Sequence, residues 1–428
     1  MARRLKIVQD ASRDLISELP LEIKDRILEC LPTRDAARTA LLSRHWNDAW
    51  LQHGRLVFDR EFLESLQQRQ DDKKILDGRT SVNIINNILF HRAWPVKKFT
   101  LHIPCADLMQ QSDFDRWCLF LSQNGVEELD IFLYSDLAPV YELPFCLLSC
   151  RTIKKLIVQG VIIDLPVNAC DIFSNVTSLE FFYVKFKRGV NEIASSISIP
   201  NLEKLAFEDC DEIDEFEISS PPKLEMLSVI DFMYDVYASR WLTPHLKAIK
   251  TLRLCGSLLR YMDASMFPTA INLQVMKLHE LNIDCREELA VAMQLLKRCP
   301  NLCELHILAQ EFGSKDYKEA ASRLLEDPDS CFVSNELRML NTIKIESKCA
   351  SALQMLFIKM LLSKSPALER FVLKFWDMNA LEVRKIQRKL ECFPRASSNA
   401  HYIVFTDNDN DSMGMDYWQH WFSLSQTW

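Results

Sequence analysis

Residues 201–210 read NLEKLAFEDC, a phrase in which Leu202, Leu205, Phe207 and Cys210 stand as apolar-x-x-apolar-x-apolar-x-x-Cys. Its centre alternates with the two-residue period of a strand, apolar on one side and polar on the other. Cys210 closes the phrase. The same phrase recurs in both directions. VKKFTLHI (96–103), VEELDIFL (126–133), IKKLIV (153–158) and VTSLEFF (176–182) precede it. KLEMLSVIDF (223–232), IKTLRLCG (249–256), NLQVMKLHEL (272–281), NLCELHIL (301–308), LNTIKIES (340–347) and ALERFVLKF (367–375) follow. Their second anchors fall at 99, 129, 156, 179, 205, 227, 252, 276, 305, 343 and 371, mostly 22–30 residues apart. A repeat of that length is one short strand plus a return segment, and only stacking buries its apolar side.

Phrase and period resemble leucine-rich repeats, whose inward Asn/Cys position falls on Cys210, and the resemblance implies a packing role for that thiol. The resemblance implies an α/β solenoid with parallel strands on the concave face and helices or loops outside. SVNIINNILFHR (81–92) and EELAVAMQLLKR (287–298) have helical apolar spacing and supply such returns. The long interval between 305 and 343 holds GSKDYKEAASRLLEDPDS (313–330), expected to be an inserted helix and loop, and QQRQDDKK (67–74) reads as a charged loop. Scarce glycine fits helical or irregular returns rather than tight ones. The eight glycines never stand closer than 24 residues apart, which excludes GxGxxG, GxxxxGK[ST] and GxSxG, and with them the common nucleotide loops and the nucleophile elbow.

Upstream of the repeats, residues 15–51 read LISELPLEIKDRILECLPTRDAARTALLSRHWNDAWL. Pro20 suits a first helical turn, Ile23, Ile27, Leu28 and Leu31 form one helical stripe, and Pro32 ends it. Thr33 and Ser43 are placed to cap two further helices, the last carrying Trp46 and Trp50. Three short helices bury too little surface to be robust alone. The segment resembles an F-box, with Leu19, Pro20, Glu22, Ile23, Ile27, Leu28, Leu31, Pro32, Ser43, Trp46 and Trp50 on its pattern. The resemblance implies docking on the Skp-type adaptor of a cullin–RING ubiquitin ligase. Residues 337–375, with Leu361, Leu362, Ser365, Leu368 and Glu369, resemble the FBD module that follows leucine-rich repeats in many plant F-box proteins, and 393–405 resembles its closing strand. The expected organisation is an N-terminal extension (1–14), F-box (15–55), solenoid (56–336), FBD module or last repeats (337–405) and a tail (406–428).

The chain has 428 residues, 48% of them hydrophobic, and a net charge of -8 from 51 Lys plus Arg against 59 Asp plus Glu. A core is affordable, and nucleic acid is disfavoured as the main partner. The basic N-terminus has no apolar h-region and no apolar run reaches the length of a membrane span, so a soluble cytoplasmic or nuclear protein is expected. Fourteen cysteines without a CxxC read as buried thiols, not disulfides or a thiolate metal site. Asp407, Asp409 and Asp411 have the start of a calcium-loop spacing, but Ser412 and Trp418 stand where the turn glycine and bidentate acid belong, so the stretch reads as a polar loop. Trp418, Trp421, Phe422 and Trp428 are expected to cap the last repeat. No cofactor, metal or catalytic constellation is expected.

Within each strand phrase the residue between the last two anchors points away from the core. Arg253, Lys277, His306 and Lys344 would thereby form a basic ladder, flanked by the apolar Phe132, Phe182, Ile230 and Leu308. These residues are the candidate substrate surface, suited to a partner with an acidic or phosphorylated segment and apolar anchors. The whole reads as a substrate receptor of an SCF-type ligase without bond chemistry of its own. The alternatives are a small-molecule, hormone-like receptor of the same complex class and a scaffold that recruits no cullin.

Overall fold

The computed structural model describes residues 14–67, 78–92, 94–104, 109–134, 139–165, 172–188, 197–213, 216, 218–219, 221–230, 243–262, 267–310, 337–348 and 350–406. The expected insert at 313–330, nearly all of the charged loop at 67–74, the Asp407–Asp411 loop and the tryptophan-rich tail lie outside these residues. Two compact units emerge, Met1–Leu224 and Glu225–Trp428.

The first unit starts with three helices: α1 (Leu21–Glu29), α2 (Thr33–Thr39) and α3 (Arg44–Gln52). Pro20 and Pro32 sit immediately before α1 and α2 at φ -55°. Their missing N–H groups would have found no helical acceptor there. Ser43 caps α3, its hydroxyl accepting from the Trp46 N–H at 3.3 Å. Thr33 does not cap its helix as the sequence suggested: its hydroxyl accepts from the Val57 N–H at 2.9 Å and ties α2 to the first strand.

Among the described residues of this unit nine strands follow: β1 (Arg55–Phe58), β2 (Lys98–Ile103), β3 (Glu128–Leu133), β4 (Tyr141–Glu142), β5 (Lys155–Gln159), β6 (Val161–Leu165), β7 (Ser178–Phe182), β8 (Lys185–Arg188) and β9 (Lys204–Glu208). β1, β2, β3, β5, β7 and β9 pair side by side, all parallel, and β4, β6 and β8 form a second parallel sheet. Leu56, Phe99, Leu129, Leu156, Leu179 and Leu205 stack in one register, none more than 2% exposed. The repeat phrase thus marks a continuous apolar spine, which begins one strand earlier than the sequence suggested.

The second sheet corrects the expectation that returns here are only helical or irregular. Gly160 alone joins β5 to β6, at φ +71°. A left-handed residue turns the chain through a corner, so one repeat contributes a strand to each sheet. Tyr183 follows β7 at φ 49° and Asp209 follows β9 at φ 49°, bends made without glycine. Between the sheets Phe181, Phe186, Phe207 and Phe216 form a cluster in which all six ring pairs lie 5.2–5.9 Å apart. Cys210 packs here as expected, 2% exposed, with its thiol directed to the Phe181 carbonyl at 3.4 Å.

In the second unit, β10 (Met226–Ile230), β11 (Thr251–Cys255), β12 (Val275–Asn282), β13 (Glu304–Gln310), β14 (Thr342–Ser347), β15 (Arg370–Phe375) and β16 (His401–Thr406) pair in parallel, each with the next. Leu227, Leu252, Met276, Leu305, Ile343 and Phe371 are its spine, fully buried. Helices Arg286–Lys297, Ala352–Lys364 and Ala380–Glu391 are the returns after β12, β14 and β15. Ala352–Lys364 buries Leu353, Met355, Phe357, Ile358, Met360, Leu361 and Leu362, most of its circumference, as expected of a helix apolar nearly all round. Ala380–Glu391 opens with a capping box between Asn379 and Glu382.

Asparagines at the head of the phrase lock adjacent copies together. The amide of Asn301 donates to the Ile271 carbonyl at 2.8 Å, and that of Asn272 to the Lys247 carbonyl at 2.9 Å. Each is a side-chain rung between consecutive repeats. Asn301→Ala is expected to destabilise the chain by about 1 kcal/mol in urea unfolding, the net worth of one hydrogen bond.

Candidate functional site

Two surfaces gather the candidate residues. The first is the helical segment. Its sequence-predicted positions divide sharply between core and surface. Leu28, Trp46 and Trp50 are buried within the unit, Leu19, Leu31 and Ser43 are half-buried, and Pro20, Ile23, Ile27 and Pro32 are exposed. The Lys24 ammonium lies 5.8 Å from the Trp46 ring centre and donates to the Ser17 carbonyl at 2.7 Å. Trp50 stacks under the guanidinium of Arg92 at 4.4 Å, and that guanidinium donates to the His53 carbonyl at 2.5 Å. Burial lowers the Arg92 pKa to about 10, still charged at neutral pH. Trp50 therefore anchors the helices to the segment that leads into β2, while Trp46 packs against Lys24 of α1.

What this packing leaves outside is apolar. Ile23 is 42% and Ile27 36% exposed on α1, joined by Leu21 on the same helix. Sequence periodicity missed Leu15, Ile16, Leu41 and Leu42, of which Leu41 is 86% exposed. They lie in turns before α1 and between α2 and α3, where no helical period marks them. Seven large apolar side chains exposed over so short a segment form a patch that a soluble monomer rarely leaves uncovered.

The second surface is the outward side of the strands. In the second unit the backbone register pairs Arg253 with Lys277, Lys277 with His306, His306 with Lys344 and Lys344 with Val372. The four predicted residues thus share one row. Their charge differs from the expected basic ladder at one rung. Burial, with Lys277 and Lys344 alongside, lowers the His306 pKa to about 4, so this imidazole is neutral at physiological pH. Burial together with Arg253 and Lys344 brings the Lys277 ammonium down to about 8. Arg253 is 8% exposed, and its Nε donates to Nε2 of His279 at 2.7 Å. An accepting Nε2 requires the neutral imidazole, and burial beside Arg253 holds the His279 pKa well below its usual value.

The apolar flank is less open than its sequence suggested. Phe132 stands edge-on to His102 at 4.5 Å and stacks on Phe182 at 6.2 Å, and both phenylalanines are buried. Ile230 is fully buried and Leu308 half-buried. Of the four, only Leu308 keeps an accessible side chain of any size. Glu180 in the first unit's outward row is also covered, with Lys204 at 2.9 Å.

Among the described residues no three His, Cys, Asp or Glu side chains are grouped to hold a metal ion, and no helix is long and apolar enough to cross a membrane.

Comparison with known proteins covers both surfaces. The F-box domain family matches residues 16–58, and the family described as At1g61320/AtMIF1, LRR domain matches residues 88–401. F-box/FBD/LRR-repeat protein At1g13570 of Arabidopsis thaliana is 25% identical over 437 residues, spanning 92% of this chain and 99% of that protein. Putative F-box protein At3g58860 of the same plant is 31% identical over 179 residues, 41% of this chain and 38% of that protein. F-box/FBD/LRR-repeat protein At5g56420, also from that plant, is 27% identical over 222 residues, 51% of this chain and 49% of that protein. With all of the exposed helical patch but Leu15 inside the first match and the whole cation row inside the second, which alone spans well over half of the sequence, the chain belongs to the F-box/leucine-rich-repeat family.

Proposed function

We propose that the chain is the substrate-recognition subunit of an SCF-type (Skp–cullin–F-box) ubiquitin ligase. α1–α3 hold the Skp-type adaptor, and the outward strand face holds a protein target. The observation that carries this reading is the exposed apolar set Leu15, Ile16, Leu21, Ile23, Ile27, Leu41 and Leu42, within or beside the residues matched as an F-box. Burying such a patch against a partner is worth roughly 25 cal/mol per Å² of apolar surface, less the cost of association.

The chain itself performs no bond chemistry in this reading. It raises the effective concentration of a target lysine near the charged ubiquitin-conjugating enzyme, and parallel strands locked in register suit that role because they hold the target at a fixed place. Residues 337–405 serve as the FBD module at the end of the repeats, and the complex works in the cytoplasm, the nucleus or both.

Co-purification of the full chain with a Skp-type adaptor tests the reading. Stoichiometric capture is the expected result. A folded chain that captures no adaptor would leave a repeat scaffold and end the ligase reading.

A further inference from the structure

Resting on the receptor reading, we propose that Arg253, Lys277, His306, Lys344, Val372 and Ile403 form a docking track for an extended protein segment with two anionic residues followed by an apolar one. The register carries it: the pairing that aligns Arg253 through Val372 continues from Val372 to Ile403 on β16. The row is cationic at one end, where Lys277 and Lys344 are half-buried and Arg253 is 8% exposed, and apolar at the other, where Val372 is 6% and Ile403 44% exposed. Strands lie ~4.8 Å apart, so Arg253 and Lys344 stand ~14 Å apart at the backbone, the length of about four residues of extended peptide. Ile403 lies ~10 Å beyond Lys344, about three residues more. The segment that fits therefore carries acidic or phosphorylated residues at i and i+4 and a large apolar residue near i+7.

Charge supports the assignment. The chain is net -8, yet cations gather on this side of the second unit, where Arg370 and Lys374 on β15 flank the row. The carboxylates on the same side, Glu304 and Glu346, stand beside His306 and Lys344, at 3.5 and 2.6 Å. They confine the positive region to a narrow strip, too small for the broad basic surface that nucleic acid needs. Burial, with the like charges of Arg253 and Lys344 close by, also leaves Lys277 easier to deprotonate than an ordinary lysine, with a pKa of about 8. An anion laid over it would relieve that repulsion.

One titration follows. Lys277 faces Arg253 on β11, Glu304 and His306 on β13, Lys344 and Glu346 on β14, and shares β12 with His279. Segment binding favours the charged ammonium and raises its pKa, so affinity is full below about 8 and falls as pH rises through it.

The test uses the full chain and a fluorescent peptide with phosphoserine at i and i+4 and leucine at i+7. The serine version of the peptide serves for comparison, with inorganic phosphate, single-stranded RNA and phosphatidylserine vesicles as competitors. The phosphopeptide should bind at least about tenfold more tightly than its serine version, and Lys277→Gln and Lys344→Gln should each weaken it about tenfold. Equal binding of the two peptides, indifference to both substitutions, or displacement by phosphate, RNA or vesicles at the peptide's own concentration would overturn the track. Lys344 is a third exposed, so its variant remains informative if substitution at the more buried position disturbs folding. Adaptor capture, measured on the same samples, belongs to α1–α3 and reports the ligase reading separately.

Discussion

An Ile23→Glu/Ile27→Glu chain is expected to lose Skp-type adaptor capture by at least about a hundredfold while keeping its thermal stability within a few degrees of wild type. Both side chains are exposed on the same face of α1, one turn apart. Carboxylates there meet water in the free chain and cost little, as surface substitutions usually do. In the complex they would be driven into an apolar interface without partners, where a buried unpaired charge costs several kcal/mol. Trp46→Ala should behave in the opposite way. That ring is 3% exposed beneath Lys24, and its removal opens a cavity worth about 3–5 kcal/mol of stability. Capture then falls because the helices no longer hold together. Measuring adaptor affinity and unfolding on both variants separates the surface from its scaffold. Retained capture by the double glutamate chain would move the adaptor site off α1.

The same division explains what the sequence could reveal. Every strand phrase found by its anchors lies on a spine strand, because an apolar-x-x-apolar-x-apolar phrase is a local signature of a strand buried on one side. β1 escaped detection since RLVF follows Gly54 directly and lacks the upstream anchor. The sheet of β4, β6 and β8 escaped because VIIDL reads equally well as a return, and only the corner at Gly160 turns it into a strand. Row membership of Arg253, Lys277, His306 and Lys344 was legible once the anchors fixed the register. Their charge states were not, since His306 is neutral only through burial beside two lysines from other repeats. Burial of Phe132 and Phe182 was hidden for a related reason: His102, which packs on Phe132, comes from the preceding strand, and each phenylalanine is the other's stacking partner across β5. On the helical segment, the pattern of leucines and tryptophans revealed the F-box but did not separate the residues that build it from those it presents.

Gly160→Ala is expected to destabilise the first unit by about 4 kcal/mol, whereas Gly125→Ala should cost only about 1 kcal/mol. The two glycines have nearly the same φ, +71° at Gly160 and +72° at Gly125. Each would impose the same left-handed strain on an alanine, about 1–2 kcal/mol. Their surroundings differ completely. A Cβ on Gly125, just after the helix Gln111–Gln123, would meet nothing within 4 Å. A Cβ on Gly160 would come within 1.9 Å of the Leu133 carbonyl oxygen and 3.0 Å of its carbon. Those are backbone atoms of the neighbouring repeat, so no rotamer change relieves the clash. Either the corner opens or the repeats separate, and the Gly160 N–H bond to the Phe182 carbonyl at 3.0 Å is disturbed in both cases. Tyr183 and Asp209 show that a left-handed bend at a strand end is accessible with a side chain present. The requirement for glycine at 160 is therefore one of space between stacked copies rather than of backbone conformation. Equal destabilisation by the two alanines in urea unfolding would refute that distinction and assign both costs to strain alone.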